Sequence, residues 1–596
     1  MLKHFEQIHK HYVNPITQLI EKSAIVDERT AGDLDREFRA ALSKVTKGMS
    51  PLAILNAYVD WLGHLSISPG KQLLLMQSLS RTFMKLSKYG LASASGNQAE
   101  KPAKTSHRTF ETDAWQKFPF NLFSQSYLMT KEFVNEASTN VEGMSLDREE
   151  LVSFINGEIL EMMSPANFPV TNPEVIAAIK EEKAENLKRG MQFLVDDITK
   201  PKISDAEGSD YIVGENMAAS PGKVVFQNAL IELIQYKPTT EEVNTEPVLF
   251  VPPWIMKYYI LDLSEQNSMV KYLVDQGKNV FMMSWINPTE NERDMSMEDY
   301  LNLGFMEALE AVKTIVPGKK VNAVGYCIGG TLLTIGAAKL AQDHDHSLKS
   351  ISLFTAQTDF TEPGEIKLFL NDSQLAFMES KMWKQGYLQG DDMGKSFKAL
   401  RSADLIWGPR VQRYLLGKES THNDLMTWNA DSTRMPYRMH ADYLRCLYLN
   451  NELADGKFKV NGMPVHLADI EAPFFVVGTE ADHVAPWKSV YKIHRLTNSD
   501  VTFLLTSGGH NAGIICGPNH PRRSYQIHTQ KPTDKAIDAE TWARTIERKP
   551  GSWWPVWDEW LNTQSTGKRK APTTFGAPRK GYKVLRDAPG EYVHIR

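Results

Sequence analysis

The sequence predicts an α/β fold, in which a doubly wound, mostly parallel sheet carries an inserted cap and follows a mostly helical N-terminal domain. Three patterns predict it: helical periodicity up to about residue 200, short apolar runs alternating with helical stretches after about residue 210, and a break in that alternation over about 356–470. Strand–helix alternation is typical of parallel sheets covered by helices on both faces. We expect a helical domain over 1–205, an α/β domain over 206–596 and the cap at about 356–470.

The N-terminal region has apolar residues at helical spacing, as in LAILNAYVDWLGHL (52–65) and LLLMQSLSRTFMKLSKYGL (73–91). A polar stretch follows, SASGNQAEKPAKTSHR (93–108), which contains few apolar residues and one proline. We interpret this stretch as a flexible linker inside the helical domain. Helical patterns resume after it and continue to about residue 200, broken by an Asn/Pro-rich loop at 164–175.

The second region begins with GKVVFQNALIELIQY (222–236), whose period-two alternation on both sides of Asn-Ala predicts a β-hairpin. Helical stretches such as 297–316 and 331–342 separate several later apolar runs. Continuous apolar runs of this length suit strands buried on both faces of a sheet. The six runs are PVLFVPPW (247–254), NVFMMSW (279–285), KVNAVGYC (320–327), SISLFT (350–355), PFFVVGTEAD (473–482) and VTFLLTSGGH (501–510). The segment between the fourth and fifth runs, rich in Met, Trp and Tyr, is the predicted cap.

Composition excludes several classes of protein. The net charge of −5 gives no reason to expect nucleic acid or a membrane surface as the main partner. Three cysteines are too few for a disulfide framework, which fits a reducing compartment. The N-terminus lacks the apolar stretch of a signal peptide, and no run of about 18 apolar residues predicts a membrane span. We therefore expect a cytoplasmic protein, and we find no metal-ligand cluster.

One of the three cysteines lies in the pattern Gly325-x-Cys327-x-Gly329, between a predicted strand and a predicted helix. This is the context of a nucleophile elbow, the turn that carries the nucleophile of the α/β-hydrolase fold. The nucleophile takes a strained backbone conformation, so its neighbours two residues away must be glycine. The helix N-terminus favours a thiolate, and the N–H of Ile328 would face a developing oxyanion. The alternative is a buried thiol in a glycine turn.

A nucleophile in this fold needs an acid and then a histidine, in that chain order, after later strands. Asp482 follows PFFVVGTEA and His510 follows VTFLLTSGG, so both lie at the carboxyl ends of predicted strands. His510 can accept the proton of the thiol or of an incoming hydroxyl. Asp482 can orient the imidazole and stabilise its cation. The order Cys327, Asp482, His510 favours a nucleophile over a packed thiol.

Many separate motifs resemble class I polyhydroxyalkanoate (poly-3-hydroxybutyrate) synthases, and the resemblance covers about residues 110–596. It implies an α/β-hydrolase fold with a cap, polymerisation of (R)-3-hydroxyacyl-CoA into a polyester with release of CoA, and a homodimer at the surface of cytoplasmic polymer granules. It implies no cofactor, because CoA belongs to the substrate and product, and it allows contact with granule-associated proteins through the N-terminal domain. The motifs are FVPPWIMKYYILDL (250–263), MMSWINP (282–288), GYCIGGTLL (325–333), WNADSTRMP (428–436), GTEADHVAPW (478–487), GGHNAGI (508–514) and PGSWWPVWDEW (550–560).

The resemblance assigns roles by motif. It implies that Cys327 accepts the acyl group and that His510 activates the thiol. Asp482 either orients His510 or helps to deprotonate the 3-hydroxyl of the acyl unit. Trp428 matches a tryptophan that this family uses near its dimer contact and active site. A second oxyanion donor is expected from Trp254 or Ile255, because the two prolines before them have no N–H.

This sequence departs from the family pattern at two places. Met256 stands where the family commonly has Asn, which puts in doubt a polar role at that position. GGHNAGI differs from the more usual G-H-I-A-G-V form, so Asn511 is expected to alter the pocket beside His510. The GYCIGG elbow favours short-chain monomers.

Two other functions stay open at the level of sequence. A cysteine-dependent thioesterase or polyester depolymerase would use the same three residues, with water in place of a hydroxyl as acceptor. A granule-coating scaffold would use residues 1–200 to contact polymer or partner proteins. A cap that excludes water would favour chain growth over hydrolysis, which gives the 356–470 insertion a purpose in the synthase hypothesis.

Overall fold

The computed structural model describes residues 27–46, 48–96, 100–199, 210–390, 392, 402–419 and 423–596. The predicted helical character of the N-terminal domain is confirmed for the described residues, while the predicted boundary at 205/206 lies outside them. Polar caps start several helices: Asp27 accepts from the N–H of Thr30, and Ser50 precedes a proline at the first helical position. The helices are α1 (Glu28–Val45), α2 (Pro51–Ser66), α3 (Pro69–Ala94), α4 (Phe120–Ser138), α5 (Leu146–Met162), α6 (Pro173–Glu181) and α7 (Glu185–Thr199).

The predicted linker at 93–108 is ordered over much of its length. Helix α3 extends to Ala94, inside the predicted linker. The N–H of Ala103 donates to Gln125, and the N–H of Thr105 donates to Glu132, both on α4. Residues 97–99 lie outside the described residues. A polar stretch is held here because side chains of α4 accept hydrogen bonds from its backbone, an interaction that composition does not reveal.

The α/β domain is built on an eleven-stranded sheet, in the order β15-β14-β13-β12-β7-β6-β4-β5-β2-β1-β17. Its six central strands, β13 to β5 in that order, pair in parallel and are the six predicted apolar runs. The predicted hairpin is also confirmed, as the antiparallel pair β1–β2. The strands are β1 (Gly222–Gln227), β2 (Ile231–Tyr236), β3 (Glu242–Asn244), β4 (Val248–Val251), β5 (Val280–Trp285), β6 (Val321–Tyr326), β7 (Leu348–Phe354), β8 (Tyr387–Leu388), β9 (Met435–Pro436), β10 (Lys459–Val460), β11 (Met463–Pro464), β12 (Phe474–Thr479), β13 (Val501–Thr506), β14 (Ser524–Gln530), β15 (Lys549–Pro550), β16 (Lys568–Lys570) and β17 (Arg586–Asp587).

Helices cover both faces of this sheet and bury the central strands completely. Along β6, Val321 and Ala323 join one apolar cluster, whereas Val324 and Tyr326 join the cluster on the opposite face. This alternation is what a strand buried on both faces requires. The α-helices of this domain are α8 (Met269–Asp275), α9 (Glu307–Ile315), α10 (Ile328–Gln342), α11 (Asp372–Gln385), α12 (Asp424–Ala430), α13 (Tyr437–Asp442), α14 (Trp487–Tyr491), α15 (Ala539–Thr545) and α16 (Trp554–Thr563), with three-residue helices at Met297–Asp299 and Gly408–Arg410.

The cap is inserted between β7 and β12, where the strand–helix alternation of the sequence is interrupted. It contains α11 to α13 and three π-helical segments, Ala403–Trp407, Val411–Leu415 and Tyr443–Leu449. The N-terminal domain holds the cap at separate places. Gln374 on α11 accepts from the N–H of Ser50 and donates to the carbonyl of Gly48, both at 2.7 Å. Near α7, the Arg413 guanidinium makes two hydrogen bonds to Asp197, at 2.9 and 3.0 Å.

No helix in the described part of the chain is long and apolar enough to cross a bilayer. Across the same residues, no group of three or more His, Cys, Asp or Glu side chains is arranged to hold a metal ion.

Candidate active site

Cys327 lies between the end of β6 and the first residue of α10. Its backbone has φ 54° and ψ −129°, a conformation that residues with a side chain seldom adopt. The surrounding chain fixes this geometry, because the N–H of Cys327 donates to the carbonyl of Phe354 on β7 at 2.8 Å. The carbonyl of Cys327 in turn accepts from the N–H of Gly330 at 2.9 Å. The predicted strand–turn–helix context of Cys327 is therefore present.

Both glycines of the elbow are required by close approach of the backbone. A Cβ on Gly325 would lie 2.3 Å from the Cα of Gly330, and a Cβ on Gly329 would lie 2.3 Å from the carbonyl oxygen of Val251. Real Cβ contacts are not that short, so a side chain at either position would force the turn apart. The contact at Gly329 also brings the loop after β4 against the start of α10.

His510 and Asp482 are brought together by β12 and β13, which are neighbours in the sheet. Nδ1 of His510 is 2.8 Å from Oδ2 of Asp482, and the aspartate side chain is fully buried. The carboxylate also accepts from the hydroxyl of Thr479 and from the N–H groups of Val484 and Ala485. A carboxylate held in this way is an acceptor, so the Nδ1 of His510 carries the proton. The other ring nitrogen is then free to act as a base.

The charge environment favours a protonated imidazole. Burial opposes the charged form, but the Asp482 carboxylate and the Cys327 side chain outweigh burial and raise the pKa of His510 well above its ordinary value. Tyr326, the residue before Cys327, stacks on the His510 imidazole with ring centroids 5.8 Å apart, so the elbow and the histidine are neighbours. The three predicted residues thus form a connected set, with the histidine between the thiol and the carboxylate.

The cap contributes two tyrosines that sequence reasoning missed. The hydroxyl of Tyr443 lies 3.1 Å from that of Tyr448, and both side chains are largely buried. Burial raises the pKa of each phenol. Both side chains belong to or pack against the apolar cluster that Cys327 also contacts. The two residues are five positions apart in a π-helical segment, where i and i+5 lie on one side. An α-helical interpretation of DYLRCLYL separates them, so the signal was not available from α-helical periodicity.

The loop after β13, residues 507–523, carries His510 and is here called the histidine loop. Two indole N–H groups hold this loop by hydrogen bonds to its backbone. Trp553 donates to the carbonyl of Gly513 at 3.0 Å, and Trp554 donates to that of Ile514 at 2.9 Å. Arg523 donates to two further carbonyls of the loop. Trp553 also packs edge-on against Phe354, whose carbonyl accepts from Cys327. This arrangement gives the SWWPVW motif a structural role that the sequence did not reveal.

The predicted oxyanion donors are the backbone N–H groups of Ile328 and of Trp254 or Ile255. Ile328 is the first residue of α10, so its N–H has no acceptor within the helix. The carbonyls of Trp254 and Ile255 are tied to Thr433 of the cap, through its hydroxyl and its N–H respectively. These hydrogen bonds use the carbonyls of the loop and not its N–H groups, which stay candidate oxyanion donors. The oxyanion roles of Ile328, Trp254 and Ile255 therefore stay predictions.

Trp428 is buried within the chain, behind the candidate site. Its side chain is only 2% exposed, and its indole N–H donates to the carbonyl of Lys257 at 2.7 Å. It belongs to the apolar cluster against which Cys327 packs. In this structure Trp428 is therefore a buried support behind the site, and its place near a dimer contact stays a prediction.

Comparison with known proteins gives matches along most of the chain. The family model described as the N-terminus of poly-beta-hydroxybutyrate polymerase (PhaC) matches residues 106–273, and a second N-terminal model of poly-beta-hydroxybutyrate polymerase matches residues 29–71. A model of the alpha/beta hydrolase fold matches residues 246–515. Among solved structures, a putative hydrolase from Agrobacterium vitis has 15% identity and a TM-score of 0.30, over 50% of this chain and 94% of that protein.

Curated relatives match over nearly their whole length. The poly(3-hydroxyalkanoate) polymerase subunit PhaC of Rhizobium etli is 36% identical over 583 residues, which are 96% of this chain and 90% of that relative. The poly(3-hydroxyalkanoate) polymerase of Methylorubrum extorquens is 37% identical over 538 residues, which are 89% of this chain and 87% of that relative. The corresponding protein of Cupriavidus necator is 34% identical over 90% of this chain and 91% of its own.

The α/β-hydrolase fold expected from the elbow is confirmed by the family model and by the sheet order. The resemblance noted in the separate motifs is confirmed by relatives that match almost the full chain. Sequence identity of this extent, over both the N-terminal and the α/β domain, assigns the family as well as the fold. The chain belongs to the poly(3-hydroxyalkanoate) polymerases, which are acyltransferases.

Proposed function

We propose that the chain polymerises short-chain (R)-3-hydroxyacyl-CoA, with 3-hydroxybutyryl-CoA as the main monomer, through a Cys327–His510–Asp482 triad. The observation that supports the triad most directly is the 2.8 Å contact of His510 with Asp482 beside a cysteine at a strained elbow. The class I assignment and the short monomer rest on the GYCIGG form of the elbow. CoA enters with the substrate and leaves as product, so the proposal needs no cofactor or metal.

The first half-reaction forms an acyl-enzyme. His510 takes the proton of the Cys327 thiol, and the sulfur attacks the thioester carbonyl of the substrate. The N–H of Ile328, with that of Trp254 or Ile255, stabilises the oxyanion of the tetrahedral intermediate. The intermediate collapses with loss of the CoA thiolate, which receives the proton from His510. One thioester replaces another, so this exchange is nearly balanced in free energy.

The second half-reaction extends the chain. The 3-hydroxyl of one acyl unit loses its proton to His510, directly or with the help of Asp482, and attacks the carbonyl of a second acyl unit held as a thioester. An ester bond forms and a thiolate leaves. Because the cap covers the site, with Tyr443 and Tyr448 near the elbow, the acceptor is a hydroxyl of the substrate in preference to water.

We also propose that the enzyme works at a polymer surface, through the hairpin of α2 and α3. Apolar side chains recur there at intervals of three and four residues, on the side that faces solvent. Contiguous apolar patches of this kind mark interaction surfaces in soluble proteins. A water-insoluble polyester, attached to the enzyme as it grows, is an apolar partner that the reaction itself supplies. The side chains, each more than half exposed, are Leu52, Leu55, Val59, Leu62, Leu73, Met76, Leu79, Phe83 and Leu91.

Adsorption to polymer tests this second proposal. We expect the parent protein to sediment with particles of amorphous poly-3-hydroxybutyrate, and a Leu73→Gln/Phe83→Gln variant to stay mostly in solution. Val170→Gln is the matched control, since Val170 is 78% exposed but lies outside the hairpin. Equal adsorption of all three proteins would contradict a role for the hairpin.

The homodimer expected from the family is a further proposal. Sedimentation velocity at several protein concentrations measures it directly. A single species with the mass of one chain, with and without substrate, would contradict it.

The central experiment is incubation of the purified protein with (R)-3-hydroxybutyryl-CoA, with free CoA followed and the acyl product sized. We expect CoA release with high-mass polyester, and neither product from Cys327→Ala. CoA release with free 3-hydroxybutyrate would instead identify a thioesterase. CoA release that survives in Cys327→Ala would contradict the proposed nucleophile.

A further inference from the structure

Tyr326 and Asn511 form a hydrogen-bonded pair directly beside His510. The hydroxyl of Tyr326 donates to Oδ1 of Asn511, at a distance of 2.5 Å. Tyr326 is the last residue of β6 and immediately precedes the nucleophile, and Asn511 immediately follows the histidine. The pair therefore joins the strand that carries the thiol to the loop that carries the base.

The ring of Tyr326 also contacts the imidazole. The two rings are stacked, with centroids 5.8 Å apart and planes inclined by 28°. Tyr326 is 1% exposed, so its ring cannot move aside without opening the core. Asp482 fixes one nitrogen of His510 by a hydrogen bond, but one bond leaves the ring free to rotate about it. The stacked tyrosine removes that freedom.

We propose that Tyr326 is a positioning residue, which sets the plane of the His510 ring by stacking and fixes the start of the histidine loop through Asn511. The inference rests on the proposed triad, because it concerns how the His510 imidazole is oriented toward the Cys327 thiol. The tyrosine touches no substrate in this account. Its hydroxyl and the Asn511 amide form one unit, since removal of either leaves the other as an unpaired polar group in a mostly buried place.

A double-mutant cycle tests this unit. Tyr326→Phe keeps the stacked ring and removes the hydroxyl, and Asn511→Leu replaces the amide by an apolar group of similar shape. We expect each single variant to release CoA about tenfold more slowly, the size of effect that one unpaired buried polar group produces. The hydrogen bond is absent from all three variants, so the double variant should be about as slow as either single variant. Single and double variants that lose activity additively would overturn the proposal.

Alkylation of Cys327 by iodoacetamide gives a readout that is independent of the substrate. The other two cysteines are poor competitors, because burial raises the pKa of Cys446 to about 12, and Cys516 is fully buried. We expect the pH profile of alkylation to move to higher pH by about one unit in Tyr326→Phe, as His510 becomes a less well-aimed base. The profile of the double variant should match that of Tyr326→Phe, because both lack the hydrogen bond. An unchanged profile in Tyr326→Phe would overturn the positioning role.

The chain offers a matched control. Tyr58 donates to Oδ1 of Asn156 at 2.8 Å, which is the same chemical pair within the N-terminal domain. Tyr58→Phe should change neither the alkylation profile nor the rate of CoA release, and a shift equal to that of Tyr326→Phe would mean a general loss of packing. The proposed triad fails separately, through CoA release that persists in Cys327→Ala.

Discussion

Replacement of Cys327 by glycine should yield a more stable protein than replacement by alanine. Both variants lack the thiol, so they differ only in whether residue 327 carries a Cβ at φ 54°. At ordinary positions the same comparison has the opposite sign, because glycine loses more conformational freedom on folding than alanine does. The sign of the difference therefore reports the strain stored at the elbow.

The magnitude follows from two opposing contributions. A side chain held in a sparsely populated backbone region costs about 1–3 kcal/mol, and glycine relieves this cost. The greater freedom of glycine in the unfolded chain costs about 0.5–1 kcal/mol. The net effect is about 1 kcal/mol in favour of Cys327→Gly over Cys327→Ala. Ala341→Gly, near the end of the same helix α10, should instead lower the free energy of unfolding by about 0.5–1 kcal/mol.

Urea unfolding followed by tryptophan fluorescence measures both pairs. A difference of 1 kcal/mol moves the midpoint by about 0.3 M, if the slope is about 3 kcal/mol per molar as expected for a domain of this size. We expect Cys327→Gly to unfold at higher urea than Cys327→Ala, and Ala341→Gly to unfold at lower urea than the parent. A lower midpoint for Cys327→Gly than for Cys327→Ala would refute the strained elbow and the argument built on it.

Three further predictions concern the triad and its support. Asp482→Asn should leave acylation partly intact while it blocks elongation, seen as a burst of CoA without polymer; full polymer yield would contradict the elongation role. Trp553→Phe, which removes a hydrogen bond to the histidine loop, should slow CoA release by about tenfold. Trp557→Phe should not, because its indole N–H donates to β7. The raised pKa of His510 stabilises the folded protein fully below its ordinary pKa of about 6.5, and this contribution is lost as pH rises through the folded value. The free energy of unfolding of the parent, relative to His510→Gln, should therefore decrease from neutral to alkaline pH, and an increase would contradict that shift.

Much of the α/β domain follows from its sequence. The six parallel strands are continuous apolar runs because both of their faces are buried. The antiparallel strand β14, SYQIHTQ, was missed, because it lies outside the parallel centre of the sheet and is only partly buried, so it is less apolar. The residues of the proposed triad could also be identified from the sequence, since each of them follows one of these recognisable strands.

The supporting groups could not be predicted in the same way. Tyr443 and Tyr448 meet only because their segment is π-helical, and no sequence period in common use indicates that geometry. Family resemblance placed Trp428 near the active site or the dimer contact, but its hydrogen bond to Lys257 depends on the fold of the cap and leaves no sequence pattern. The partners of Trp553 and Trp554 are backbone carbonyls, which are the same for every sequence and leave no trace in residue type.

The contacts between the N-terminal domain and the cap have a mechanical consequence. Gln374 of the cap is hydrogen-bonded to Gly48 and Ser50, and Arg413 of the cap is hydrogen-bonded to Asp197. The cap is therefore attached to the N-terminal domain at two separate places. The cap cannot move away from the N-terminal domain unless these hydrogen bonds break. If they stay intact, the two parts move together. A displacement of the N-terminal helices is therefore transmitted to the cap. Substitutions at Gln374 or Arg413, which would break these hydrogen bonds, would weaken the coupling between the cap and the N-terminal domain.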